Sequence, residues 1–64
     1  MTLFTGKQLL KDEIDRTVTN LTGVPQILLV SKFPHVHLLD ALKIFEEFEQ
    51  TGFITRRDGI IFKA

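Results

Sequence analysis

Three groups of residues carry side chains suited to chemistry. His35-Val36-His37 offers two imidazoles. Ser31, either histidine and Asp40 supply the residue types of a nucleophilic triad. Lys32, Lys43, Arg56 and Arg57 supply cations. The imidazoles would share a side only in an extended strand. A tetrahedral metal site needs further ligands, and the chain has two His and no Cys, so Asp40 or a second chain would have to complete it. A turn or helix-cap pair suits the two histidines better. Ser31 to Asp40 spans ten consecutive residues without a nucleophile elbow or an oxyanion glycine cluster. A domain of 64 residues also has little room for a concave substrate pocket. We therefore expect no catalytic activity, no metal and no cofactor.

The acids have their own pattern. Asp40, Glu46, Glu47 and Glu49 lie in residues 38–51 against Lys43 alone. That run would repel duplex DNA, and it is an alternative docking strip for a basic protein partner. Over the whole chain, eight Lys plus Arg balance eight Asp plus Glu. Disulfides, iron–sulfur clusters and thiol nucleophiles are excluded by the lack of Cys. The 44% hydrophobic and 25% charged shares are those of an ordinary globular domain, and the length allows one, residues 1–64. The longest apolar run, Ile27-Leu28-Leu29-Val30, is far too short to span a bilayer, and no signal-peptide pattern opens the chain. We expect no membrane contact and a cytoplasmic location.

Positioning these groups falls to a small set of elements. Thr5 and Gln8 have capping-box spacing, and Phe4 and Leu9 have staple spacing, so a helix starts there. Leu10, Ile14, Val18 and Leu21 fall on one face. The helix should weaken through Thr17–Asn20, where β-branched residues crowd, and stop at Gly23. Pro25 suits a first helical position of a short buried helix over residues 25–33, with a strand over Ile27–Val30 as the alternative. After Pro34, residues 35–51 read as a helix with Leu38, Leu42, Phe45 and Phe48 as its stripe, widened by Leu39 and Ile44. Gly52 is its natural stop. Asp58-Gly59 is a strong two-residue hairpin turn between 53–57 and 60–64. In that register Phe53, Thr55, Arg57, Ile60 and Phe62 share one face, which we expect to be the core face. Ile54, Arg56, Ile61 and Lys63 share the other, where Ile61 breaks an otherwise basic surface. The expected fold is α+β: two or three helices, then a C-terminal β-hairpin.

The stretch Leu38–Gly59, LLDALKIFEEFEQTGFITRRDG, resembles the end of a winged helix-turn-helix domain. Phe45 and Phe48 match its recognition helix, followed by Gly52, the apolar pair Phe53-Ile54, basic Arg56-Arg57 and the wing turn Asp58-Gly59. The resemblance covers residues 25–64, with 5–22 as the preceding helix. It implies a transcriptional regulator that reads duplex DNA with the tip of helix 35–51 and a basic wing. Carried to matching positions, it nominates Lys32, His35, His37 and Lys43 for the groove, and Arg56 and Arg57 for the backbone. The rival expectation is an adaptor or inhibitor that uses Asp40, Glu46, Glu47 and Glu49 on a protein partner. A homodimer is expected in either case. So small a core is marginal, Ile61, Leu39 and Ile44 fall outside the main apolar faces, and the last strand leaves an open sheet edge.

Overall fold

The computed structural model describes residues 5–64. The elements run α1 (Thr5–Thr17), β1 (Val24–Pro25), α2 (Gln26–Ser31), α3 (Leu38–Gln50), β2 (Ile54–Arg57) and β3 (Ile60–Lys63). This is the expected α+β class, with three helices ahead of a C-terminal antiparallel strand pair. The short β1 also pairs with β3, so the sheet order is β1-β3-β2.

Local chemistry accounts for the element ends. Phe4 and the Thr5 side chain, on which the expected staple and cap depend, lie outside what is described. At its other end α1 stops at Thr17, whose hydroxyl donates to the Glu13 carbonyl at 2.8 Å. The Thr19 hydroxyl then accepts from the backbone N–H of Thr22 at 2.8 Å and of Leu21 at 3.2 Å. This side-chain turn competes with helix continuation. Leu21 is consequently not on the apolar face of α1; it is 87% exposed in the loop.

Ile27–Val30 lie within α2, so the helix reading of this segment holds and the strand alternative does not. Val24–Pro25 pairs with Ile61 and Ile60 of β3. Pro25 is thus the residue before α2 and not its first turn, which suits a residue with no N–H to donate to a ladder. The Gln26 N–H donates to the Gly59 carbonyl at 2.9 Å and ties the start of α2 to the hairpin turn.

α3 begins at Leu38, three residues later than the sequence pattern suggests. His37 is extended (φ −64°, ψ 141°), and its Nδ1 accepts the Leu39 N–H at 3.1 Å. An imidazole serves here as the N-cap acceptor. At the other end Gly52 has φ 82°. Its N–H reaches the Glu49 carbonyl, and the Phe53 N–H reaches the Phe48 carbonyl at 2.9 Å. This is a Schellman stop, which glycine permits because positive φ costs it nothing. The hairpin turn is also as expected, with positive φ at Asp58 (53°) and Gly59 (76°) and Arg57 opposite Ile60.

The core comprises Leu10 and Ile14 from α1, Val18 just past its end, Leu29 from α2, Ala41, Phe45 and Phe48 from α3, Ile54 from β2 and Ile61 from β3. The last two overturn the expected hairpin orientation. Register and face membership are right, but the Ile54/Ile61 face is the core face: Ile61 is 0% and Ile54 1% exposed. Arg56 and Lys63 lie on that same face and escape the core by running their charged ends to its rim. Phe33 and Phe53 pack at the margin of the core, and Phe62 lies on the outer face. There Ile60 and Phe62 close over Gly23. A Cβ on Gly23 would fall 2.5 Å from Ile60 Cγ2 and 2.7 Å from the Phe62 ring.

Two supports for self-association change accordingly. Ile61 is core and unavailable, and Ile44 packs against the core. β3 is the central strand, with the Lys63 N–H donating to the Thr19 carbonyl at 3.1 Å; the long free edge belongs to β2. Leu39 remains 65% exposed, joined by Ile27, Leu28 and Leu38. Among the described residues, no helix is long and apolar enough to cross a membrane.

Candidate nucleic-acid interface

The nominated cations emerge from the fold with different freedom. Lys32 caps the C-terminus of α2, and its Nζ donates to Glu13 Oε2 at 2.7 Å. Glu13 is 5% exposed and also pairs with Arg16. A buried carboxylate keeps its charge when it is paired and hydrogen-bonded. The Lys32 bond, and then Arg16, hold the Glu13 carboxyl below its usual 4.5 against the opposing effect of burial. Lys32 therefore pins the α2–α3 turn to α1 and is not a free cation.

His37 is spent on the cap of α3. His35 is exposed in the turn, its ring edge-on to Phe33 with centroids 6.5 Å apart. Lys43 is exposed on α3 and has no ion-pair partner among the described residues.

The adjacent arginines separate, because neighbouring strand residues point to opposite faces. Arg57 is exposed on the outer face, with its guanidinium 4.5 Å from the Phe62 ring centroid. That stacking restrains the side chain without consuming its hydrogen-bond donors. Arg56 turns inward. Its Nε and Nη2 both donate to Glu49 Oε1, at 3.0 and 2.7 Å, and its Nη1 donates to Gln26 Oε1 at 3.1 Å. One guanidinium thereby joins β2, the last turn of α3 and the first residue of α2. A hollow of about 300 Å³ beside it is lined by Gln26, Glu49, Arg56, Asp58 and Gly59.

The four acids divide in the same way. Glu49 holds Arg56, and Glu47 accepts from Lys7 at 2.9 Å. Asp40 and Glu46 are exposed, without an ion-pair partner among the described residues. Asp40 also sits in the first turn of α3, where a carboxylate complements the helix dipole. The acidic excess on α3 is thus half neutralised within the chain.

Elsewhere, Lys63 Nζ bonds Asp15 at 2.7 Å, and both Lys63 and Lys11 sit over the Phe53 ring. The Lys63 bond holds the Asp15 carboxyl below its usual 3.8. Ser31 donates to the Leu28 carbonyl at 2.7 Å and His37 Nδ1 accepts the Leu39 N–H, and among the described residues no hydrogen bond joins either side chain to the other or to Asp40. Among the described residues, no three His, Cys, Asp or Glu side chains cluster as metal ligands.

Glu13 and Gln26 are the site residues that sequence reasoning passes over. Glu13 had a signal, since it falls three residues after Leu10 and one before Ile14, on the flank of the apolar face. Gln26 had none. No family model, curated protein or solved structure matches the chain.

Proposed function

We propose that this chain is a small winged-helix-like DNA-binding domain acting in transcriptional regulation. The hairpin tip and the exposed parts of the α2–α3 segment contact the phosphate backbone. The observation that carries this reading is Arg57. It is an exposed guanidinium braced on Phe62 beside a tight turn, at the position the winged-helix resemblance assigns to the wing. His35 and Lys43 are the further free contacts. The internal pairing of Glu47 and Glu49 supports the reading by reducing the repulsion that the α3 sequence implies. A homodimer would present two such tips, as a two-half-site reader requires.

The test is titration of duplex DNA at low and moderate salt. Arg57→Ala should weaken binding and make the log–log salt slope shallower by about 0.9, the value for one phosphate contact. Absence of binding at low salt refutes the reading. Sedimentation equilibrium tests the dimer through the rise of mass with concentration.

A second reading, a protein-docking module, is favoured by a different observation. Ile27, Leu28, Leu38 and Leu39 are 61, 51, 43 and 65% exposed on the two helices that would face DNA. Exposed apolar side chains flanked by the free acids Asp40 and Glu46 suit a protein surface better than a polyanion. Leu39→Ser should then abolish capture of a specific protein, and being uncharged it adds no repulsion toward DNA.

A further inference from the structure

The expectation that Arg56 and Arg57 act together on the backbone does not fit the geometry at Arg56. Three of the five N–H groups of its guanidinium are committed within the chain, two to one oxygen of Glu49 and one to Gln26. A carboxylate and a phosphate compete for the same fork of donors. The pair is nevertheless not sealed. The Arg56 side chain is 24% and the Glu49 side chain 35% exposed. Moreover, Arg56 is on β2, an outer strand of the sheet, so no neighbouring strand bars its path around the free edge toward solvent.

We propose that Glu49 is a built-in competitor that withholds Arg56 from phosphate, so that the wing binds DNA with Arg57 alone until this ion pair opens. The inference rests on the DNA-binding reading above. Opening breaks the two bonds to Glu49 and the one to Gln26, and leaves a second cation beside Arg57 at the hairpin tip. Asp58 also lines the hollow, so Arg56 gains from leaving it only where a polyanion is present. The domain thus carries a reserve of affinity that any event neutralising or displacing Glu49 would release.

The experiment is titration of duplex DNA at several salt concentrations. The variants are Glu49→Gln, Glu49→Asp, Arg56→Ala, the Glu49→Gln/Arg56→Ala double and Glu46→Gln, each checked for folding by thermal melt. Arg56→Ala should keep the salt slope of the unsubstituted protein, because Arg56 makes no phosphate contact, while the uncovered Glu49 charge weakens affinity modestly. Glu49→Gln should bind several-fold tighter, with a slope steeper by about 0.9. Glu49→Asp keeps the charge but shortens the reach, and should move in the same direction. The double variant should return to the Arg56→Ala slope, because the cation that Glu49→Gln would release is gone. Glu46→Gln makes the same charge change on an unpaired acid and should leave the slope alone. The competitor role is overturned if Glu49→Gln behaves like Glu46→Gln, or if Arg56→Ala alone makes the slope shallower. Absence of binding by every variant, Glu49→Gln included, instead overturns the DNA-binding reading on which it rests.

Discussion

Replacing Ile61 and Ile60 in turn by valine measures which face of the hairpin meets the core. The two residues are neighbours on β3, both substitutions delete the same methyl group, and both keep a β-branched side chain, so strand propensity cancels. Ile61 is fully buried in the core cluster that also holds Ile54 and residues of α1 and α3, whereas Ile60 is half-buried beside Gly23. A buried methylene contributes about 0.8 kcal/mol by transfer, and the cavity left behind adds to it. Ile61→Val should therefore cost about 1–1.5 kcal/mol, and Ile60→Val less than about half of that. A domain of 64 residues has a total stability of about 3–10 kcal/mol. The Ile61 change is thus a sizeable fraction of it, without abolishing folding. At about 4–8 °C per kcal/mol, Tm should fall by about 4–12 °C for Ile61→Val and only a few degrees for Ile60→Val. Thermal melts followed by far-UV circular dichroism measure both, and urea titration supplies the free energies. An Ile60→Val loss equal to or larger than that of Ile61→Val would refute the assignment of the Ile54/Ile61 face to the core.

Gly23→Ala should destabilise by about 1–3 kcal/mol although Gly23 has no positive φ to lose, because the new methyl meets Ile60 and Phe62; urea unfolding measures it, and a neutral result removes the close approach. Gly59→Val should lower Tm, since a β-branched residue resists the φ of 76° at the turn, whereas Gly59→Asn should be milder. Glu13 and Asp15 have folded-state values below 4.5 and 3.8, so their ion pairs contribute fully above those values and are lost as pH falls through the lower folded ones. Acid titration of stability should accordingly show a falling limb below about pH 4.5 that flattens in Glu13→Gln; an unchanged limb would show that the Lys32–Glu13–Arg16 cluster contributes nothing.

Features governed by neighbours in the chain were legible without the fold. Of the α3 stripe, Phe45 and Phe48 are buried and Leu42 and Ile44 pack against the core, as read, whereas Leu38 and Leu39 are exposed; the Gly52 stop and the two-residue turn at Asp58-Gly59 are as read. Each depends on helical periodicity or on positive φ, which are local properties. The strand register followed too, because the turn length sets it. Tertiary structure decided the rest. A hairpin with apolar residues on both faces carries no local signal for which face turns inward. Here Ile54 and Ile61 join the core cluster that holds Phe45, while Phe62 is left on the outer face under Arg57. The candidate site was legible as a set of residue types but not as a set of free charges. Lys32 and Arg56 are consumed by Glu13 and Glu49, partners 19 and 7 positions away in sequence, and His37 by the start of its own helix. Whether a cation is available to a ligand depends on which carboxylates the fold brings within about 3 Å of it, and that distance is set by packing between elements.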